Sequence, residues 1–335
     1  MLAQQSKKWV KSVLVRSGSL RAASRLAKPR AVVLMYHSVV EDPQQTANSI
    51  RISQSQASFD WQMRTVTERF HPVSIGQAAE FAAQGRSLPR RAVVVTFDDG
   101  FADNHDVVLP ILSRYGVPAT FYIMVNAVET GCPPWYCRLN FAFSKTALPE
   151  WNHPEDPRRF SLGTANEKLA ALTAAWELGA ALTGSAQEAL VRQVEACLQV
   201  EPLDSRSGLM MNWDQVRALH KAGHTIGGHT LSHPNLAHVS LEEARTEIIG
   251  CKNRLEEKID QPIVDFSYPH PALNPQWSPQ TLQITREAGF RSAVLTTQGS
   301  VQAGDEPLSM LRIPADHDCG QWIWELERAF LRDRN

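Results

Sequence analysis

From Ala31 onward the chain alternates short apolar runs with amphipathic stretches, a rhythm that restricts it to a mainly parallel sheet wrapped by helices. The spacing predicts strands at Ala31 to Tyr36, Ala92 to Phe97, Ala119 to Val125, His224 to Gly227, Val264 to Tyr268 and Ser292 to Thr296. Helices are predicted between them over Ser58 to Arg69, Asn104 to Tyr115, Asn212 to Ala222, Leu241 to Lys258 and Pro279 to Ala288. Ser240 with Glu243 reads as a capping box, and Leu241, Ala244, Ile248, Cys251 and Leu255 form the core-facing stripe of the helix it starts.

Residues 127–209 break this rhythm. Cys132 to Phe143 is rich in Cys, Pro and aromatic residues, a polar loop runs on to Arg159, and Thr164 with Glu167 and Ser185 with Glu188 read as two further capping boxes. The expectation is a helical insertion on one βα unit of a domain spanning residues 31–335, serving either to shape a cleft or simply to pack.

The chain has 335 residues, 43% of them apolar and 21% charged, enough to bury a substantial core and unlike a disordered chain. A net charge of -1 conceals an asymmetry, because Lys7, Lys8, Lys11, Arg16, Arg21, Arg25, Lys28 and Arg30 precede the first acid, Glu41. The body is therefore acidic, which argues against nucleic-acid partners. The basic residues 1–30 form an arm in which Trp9, Val10, Val13, Leu14 and Leu20, with Ser17 and Leu26 at the margins, approach helical spacing. Two readings stand: peripheral contact of residues 7–30 with an anionic membrane, or a solvated basic tail. Five cysteines without a Cys-x-x-Cys pair indicate no disulfide framework. No apolar run approaches about 18 residues, and Val13 to Val15 is too short for a signal-peptide core, so cytoplasmic residence is expected.

The chemistry concentrates at two strand ends. Thr96-Phe97-Asp98-Asp99-Gly100 follows the apolar run Ala92 to Val95, where parallel α/β folds place active sites. Adjacent carboxylates repel unless a cation is near; a divalent metal on one would relieve this and leave the other free as a base. His229-Thr230-Leu231-Ser232-His233-Pro234 follows another predicted strand, and histidines four apart share one face of a helical turn. Two imidazoles and a carboxylate leave positions on a metal open for water and substrate. Alone, such a histidine pair reads more readily as surface or capping residues; the acidic pair at another strand end shifts the balance.

These two motifs, in this order, resemble those of the polysaccharide deacetylases, the NodB-homology domain of chitin, peptidoglycan and chitooligosaccharide deacetylases. The resemblance runs from about Ala31 to about Pro314, apart from the insertion. It implies an irregular (β/α) barrel and metal-dependent removal of an N-acetyl or related acyl group from a polysaccharide or lipid-linked sugar. It also implies a divalent ion, Zn²⁺ foremost with Mn²⁺, Co²⁺ or Ni²⁺ as alternatives, held by Asp99, His229 and His233, with Asp98 as base. His37, in Tyr36-His37 after the first strand, resembles the acid histidine of a permuted branch, and His317 is the substitute. Phe266-Ser267-Tyr268-Pro269-His270-Pro271 resembles a third motif, with Pro271 where glycine is usual, forbidding positive φ in that loop.

Tyr268, Pro269, His270 and Trp213 are the candidate substrate contacts, His270 reading more readily as a loop residue. Trp213-Asp214 and Asp103-Asn104 fall at positions the family often uses, and each reads equally as a helix cap or core anchor. Arg312 is either an ion pair tuning Asp98 or a surface salt bridge. The rival to an enzyme is a glycan-binding protein that keeps the fold without turnover. A non-haem iron facial triad is disfavoured, since that class uses His-x-Asp/Glu and a distant His on an all-β fold.

Overall fold

The computed structural model describes residues 17–43, 52–152, 158–269 and 274–331. Seven parallel strands close into a barrel: β1 (Ala31–Tyr36), β2 (Ala92–Phe97), β3 (Ala119–Ile123), β4 (Thr225–Gly228), β5 (Asp265–Ser267), β6 (Ser292–Gln298) and β7 (Met310–Pro314). Each pairs with its neighbour in chain order, and β1 closes the circle by pairing with both β2 and β7. Helices Gln56–Arg69, Ile75–Gln84, Leu109–Tyr115, Leu241–Ile259, Pro279–Glu287 and Cys319–Ala329 surround it. The expected irregular (β/α) barrel is thus present, with β7 as a strand the periodicity did not predict.

Strand alternation divides the side chains into two sets. Val32, Leu34, Val93, Val95, Phe97, Phe121, Ile226, Phe266 and Leu295 face the helices and form the main apolar core. Ala31, Val33, Ala92, Val94, Tyr122, Val294 and Met310 belong to a second cluster that fills the barrel. The Tyr122 ring lies so close to β4 that a Cβ at Gly227 would sit 2.5 Å from it and 2.8 Å from the Asp265 carbonyl, so only glycine fits there. Towards the carboxyl ends of the strands the inward positions turn polar: Thr96, Ser267 and Arg312 are all fully buried.

Between β3 and β4 the helices Trp135–Lys145, Ala165–Ala180 and Gly184–Cys197 pack around their own apolar cluster, which includes Trp135, Phe143, Trp151, Leu172 and Val191. Thr164 and Glu167 make the full capping box. Ser185 does not cap: its helix starts one residue earlier behind Thr183, and Glu188 instead pairs with Arg138 and Arg192. A competing ion pair has taken the side chain the box required.

Of the basic arm, residues 17–30 are described. Helix Ser19–Leu26 docks on Cys319–Ala329 through a buried network in which Ser24 donates to Glu327 (2.7 Å) and Arg91 pairs with Glu327 (2.6 Å). Residues 7–16 lie outside the described residues. Among the described residues no helix is long and apolar enough to cross a membrane.

Candidate functional site

Phe97 points outward into a ring stack with Tyr36 and Phe121, so alternation turns Asp98 inward. The chain then bends at once, with Asp99 at φ 78° and Gly100 at φ 87°. A non-glycine residue in the left-handed region is strained, and such strain persists where the surroundings enforce it. The turn brings Asp99 Oδ1 to 3.3 Å from His229 Nε2 and 3.6 Å from His233 Nε2. All three residues are buried, and Asp99 Oδ1 has no hydrogen-bond donor. An orphaned carboxylate oxygen facing two imidazole nitrogens is the donor set of a divalent metal site, and these residues fit one.

The two histidines do not lie on a helical turn. Thr230 and His233 both adopt φ 64°, which ends any helix, and residues 229–233 form a loop. The cause is Glu247, whose buried carboxylate accepts from the Leu231 and Ser232 amides (2.8 and 2.9 Å) and the Ser232 hydroxyl (2.6 Å). The His233 amide donates to Thr230 Oγ1, closing the loop, and the two rings still meet at 4.9 Å between centroids. His229 Nδ1 lies 2.8 Å from the Ser267 carbonyl, which fixes a proton on Nδ1 and turns Nε2 towards Asp99; burial lowers this imidazole, but the charges of Asp98 and Asp99 outweigh it and raise it.

Arg312 is fully buried, not a surface partner. Its guanidinium holds Asp98 in a two-pronged pair at 2.8 and 2.6 Å, and also donates to Thr96 Oγ1, Ser267 Oγ and the Leu295 carbonyl. Burial alone would push the Asp98 carboxyl up; Arg312, with His229 beside it, outweighs that and holds it below the ordinary carboxylate range. Asp99 is likewise held low, its burial overcome chiefly by His229. Burial lowers His233 to about 4, assisted by His229, so its imidazole is neutral at physiological pH.

His37 is half-buried just past β1, where the Asp98 amide donates to the Tyr36 carbonyl at 3.0 Å. Its charge is felt by Asp98, Asp99 and His233 alike, placing it in their neighbourhood. Asn104, buried in the π-turn Asn104–Val108, holds the His37 carbonyl at 2.7 Å, while Asp103 accepts from Ser38 Oγ and the Val39 amide. These two acid-motif neighbours therefore brace the His37 segment. His317 is exposed, with its carbonyl taken by Ser58.

Two expected substrate contacts point elsewhere. Tyr268 is fully buried on the outward side of its strand, giving its hydroxyl to Thr285, because Ser267 occupies the inward position. Trp213 follows the cap Asn212, donates its indole N–H to Glu129 (2.8 Å) and lies under Lys258, a helix-packing role. Pro269 is buried after Tyr268. His270 and Pro271 lie outside the described residues. Sequence reasoning missed Ser267 and Tyr136, whose hydroxyl donates to Asp99 Oδ2 at 2.6 Å. The inward register at the end of a strand could have flagged Ser267; nothing local flags Tyr136.

Comparison with known proteins bears on the family and the fold. The family model for polysaccharide deacetylases matches residues 85–293, more than half of the chain. YxkH of Bacillus subtilis (strain 168), named for the same family, is 27% identical over 130 residues, 38% of this chain and 44% of its own. The poly-beta-1,6-N-acetyl-D-glucosamine N-deacetylase of Escherichia coli (strain K12) is 34% identical over 100 residues, 30% of this chain and 14% of its own. The matches thus span less than half the length of either relative. The Streptococcus pyogenes deacetylase PplD shares the fold, with TM-score 0.57 at 20% identity over 87% of this chain and 95% of that one.

Proposed function

Because the chain belongs to the polysaccharide deacetylase family, we propose that it removes the N-acetyl group of an amino-sugar within a glycan, using a divalent metal held by Asp99, His229 and His233. One observation carries this reading: a buried, donorless Asp99 oxygen faces two histidine Nε2 atoms, beside a second carboxylate held anionic by Arg312. When bound, the metal, Zn²⁺ foremost and Mn²⁺, Co²⁺ or Ni²⁺ as alternatives, would polarise the acyl carbonyl and make a water more acidic.

The chain's own residues supply the proton transfers. Asp98 takes a proton from the attacking water; its oxygens retain lone pairs beyond those filled by Arg312 and Ser267. Arg312 keeps it ionised for that purpose while fixing its plane. As the carbon–nitrogen bond breaks, His37 gives a proton to the leaving nitrogen, and the products are acetate and a free amine. The activity named for the E. coli relative supports a polymer of N-acetylglucosamine as substrate class, with lipid-linked or nascent surface glycans as the form met at a membrane.

Acetate release is to be measured on β-1,6-linked and chitin-type oligomers and on lipid-linked N-acetylglucosamine, with and without chelator. The expected result is release from at least one of them, lowered at least about a hundredfold by chelator or by His229→Ala and restored to the chelated wild type by Zn²⁺. A rate indifferent to both treatments would overturn the metal reading, and no release from any substrate would favour a glycan-binding protein.

The basic arm is proposed to rest on the inner face of a membrane. What supports it is the cations Lys7, Lys8, Lys11 and Arg16 of the sequence, continued by the exposed Arg25 and Lys28 on either side of Leu26, itself 85% exposed; Arg30 is buried against Ser300 and takes no part. Deleting residues 1–16 should reduce co-sedimentation with anionic vesicles at low salt; undiminished sedimentation would sink the proposal.

A further inference from the structure

We propose that Tyr136 is a positioning residue of the metal site, delivered to it by the helical insertion; the proposal rests on the metal reading above. Tyr136 is the second residue of helix Trp135–Lys145, well outside both histidine and aspartate motifs. Its hydroxyl donates to Asp99 Oδ2 at 2.6 Å. Asp99 therefore has one oxygen capped and the other, Oδ1, donorless and turned to His229 and His233. A carboxylate held in this way offers a single oxygen to an ion, which keeps coordination positions free for water and substrate.

The ring reinforces the hydroxyl. It meets the His233 imidazole at 6.0 Å between centroids and 62°, and the Trp135 indole at 5.6 Å and 81°. Trp135 in turn presses on helix Ala165–Ala180, where a Cβ at Gly179 would lie 2.6 Å from the indole. The packing of the insertion thus fixes Trp135, Trp135 fixes Tyr136, and Tyr136 sets two of the three ligands. The insertion is part of the metal site and not only a neighbour of it.

The test is Tyr136→Phe, which keeps the ring and its packing and removes only the donor. Zn²⁺ affinity is read by chelator competition, and the visible absorption of the Co²⁺-loaded proteins reports coordination number. Loss of the cap frees Oδ2 to bind, so the Co²⁺ bands should weaken as coordination rises above four, and Zn²⁺ affinity should fall about ten- to a hundredfold. Equal affinity and equal spectra in both proteins would overturn the proposal. So would an affinity loss with an unchanged Co²⁺ spectrum, since that marks a merely structural role. Wild type that takes up neither metal overturns the metal reading itself, and this inference with it.

Discussion

Asp98→Asn is expected to lower acetate release about a hundred- to ten-thousandfold while leaving metal uptake within a few-fold of wild type. The amide is nearly isosteric, so the turn at Asp99 and the pair of histidines keep their places. It cannot accept a proton from water at neutral pH, and that is the role assigned to Asp98. The substitution also leaves the buried Arg312 guanidinium facing a neutral group, so some loss of melting temperature accompanies the change. Metal content and affinity, measured beside the rate, separate a missing base from a disordered site. A residual rate within tenfold of wild type, with metal bound, would remove Asp98 from the chemistry and pass the proton transfer to His37 or to solvent.

The parts of the site that could be read from the sequence are those whose partners are close in the chain. Asp98 and Asp99 follow an unbroken apolar strand, and His229 and His233 lie within one loop, so type and spacing announce them. The shape of that loop was not legible, because it is imposed by Glu247, on the next helix. The groups around the motifs were harder still. Arg312 reaches Asp98 across 214 positions and Ser267 reaches it across 169, and only closure of the barrel brings β2, β5 and β7 together. Strand β7 escaped the periodicity for the same reason that it matters. A buried charge at its centre, in Met310-Leu311-Arg312-Ile313-Pro314, interrupts the apolar pattern of a core strand. Tyr268 shows the opposite error: a residue next to the motif reads as functional until strand parity turns it to the helices.

The buried pair between Arg312 and Asp98 carries the largest expected effect on stability. Arg312→Met strands an ionised carboxylate among buried groups, and breaking a pair in this manner costs about 3–5 kcal/mol near neutral pH. The pH dependence then changes sign. In wild type Asp98 is held below its unfolded value, so its contribution is present above that unfolded value and is lost as pH falls through the folded one. Without Arg312, burial dominates and raises the carboxyl above its unfolded value. The variant is then least impaired at low pH, and its deficit grows as pH rises through the new folded value. Denaturant unfolding of both proteins from about pH 4 to pH 8 should show the two stability curves converging on the acid side. Adding Asp98→Leu to the methionine variant should recover most of the stability, since an apolar pair replaces the ions, and should recover none of the activity. If the double variant is as unstable as the single one, the loss comes from the other groups Arg312 ties together, Thr96, Ser267 and the Leu295 carbonyl, and not from the stranded charge.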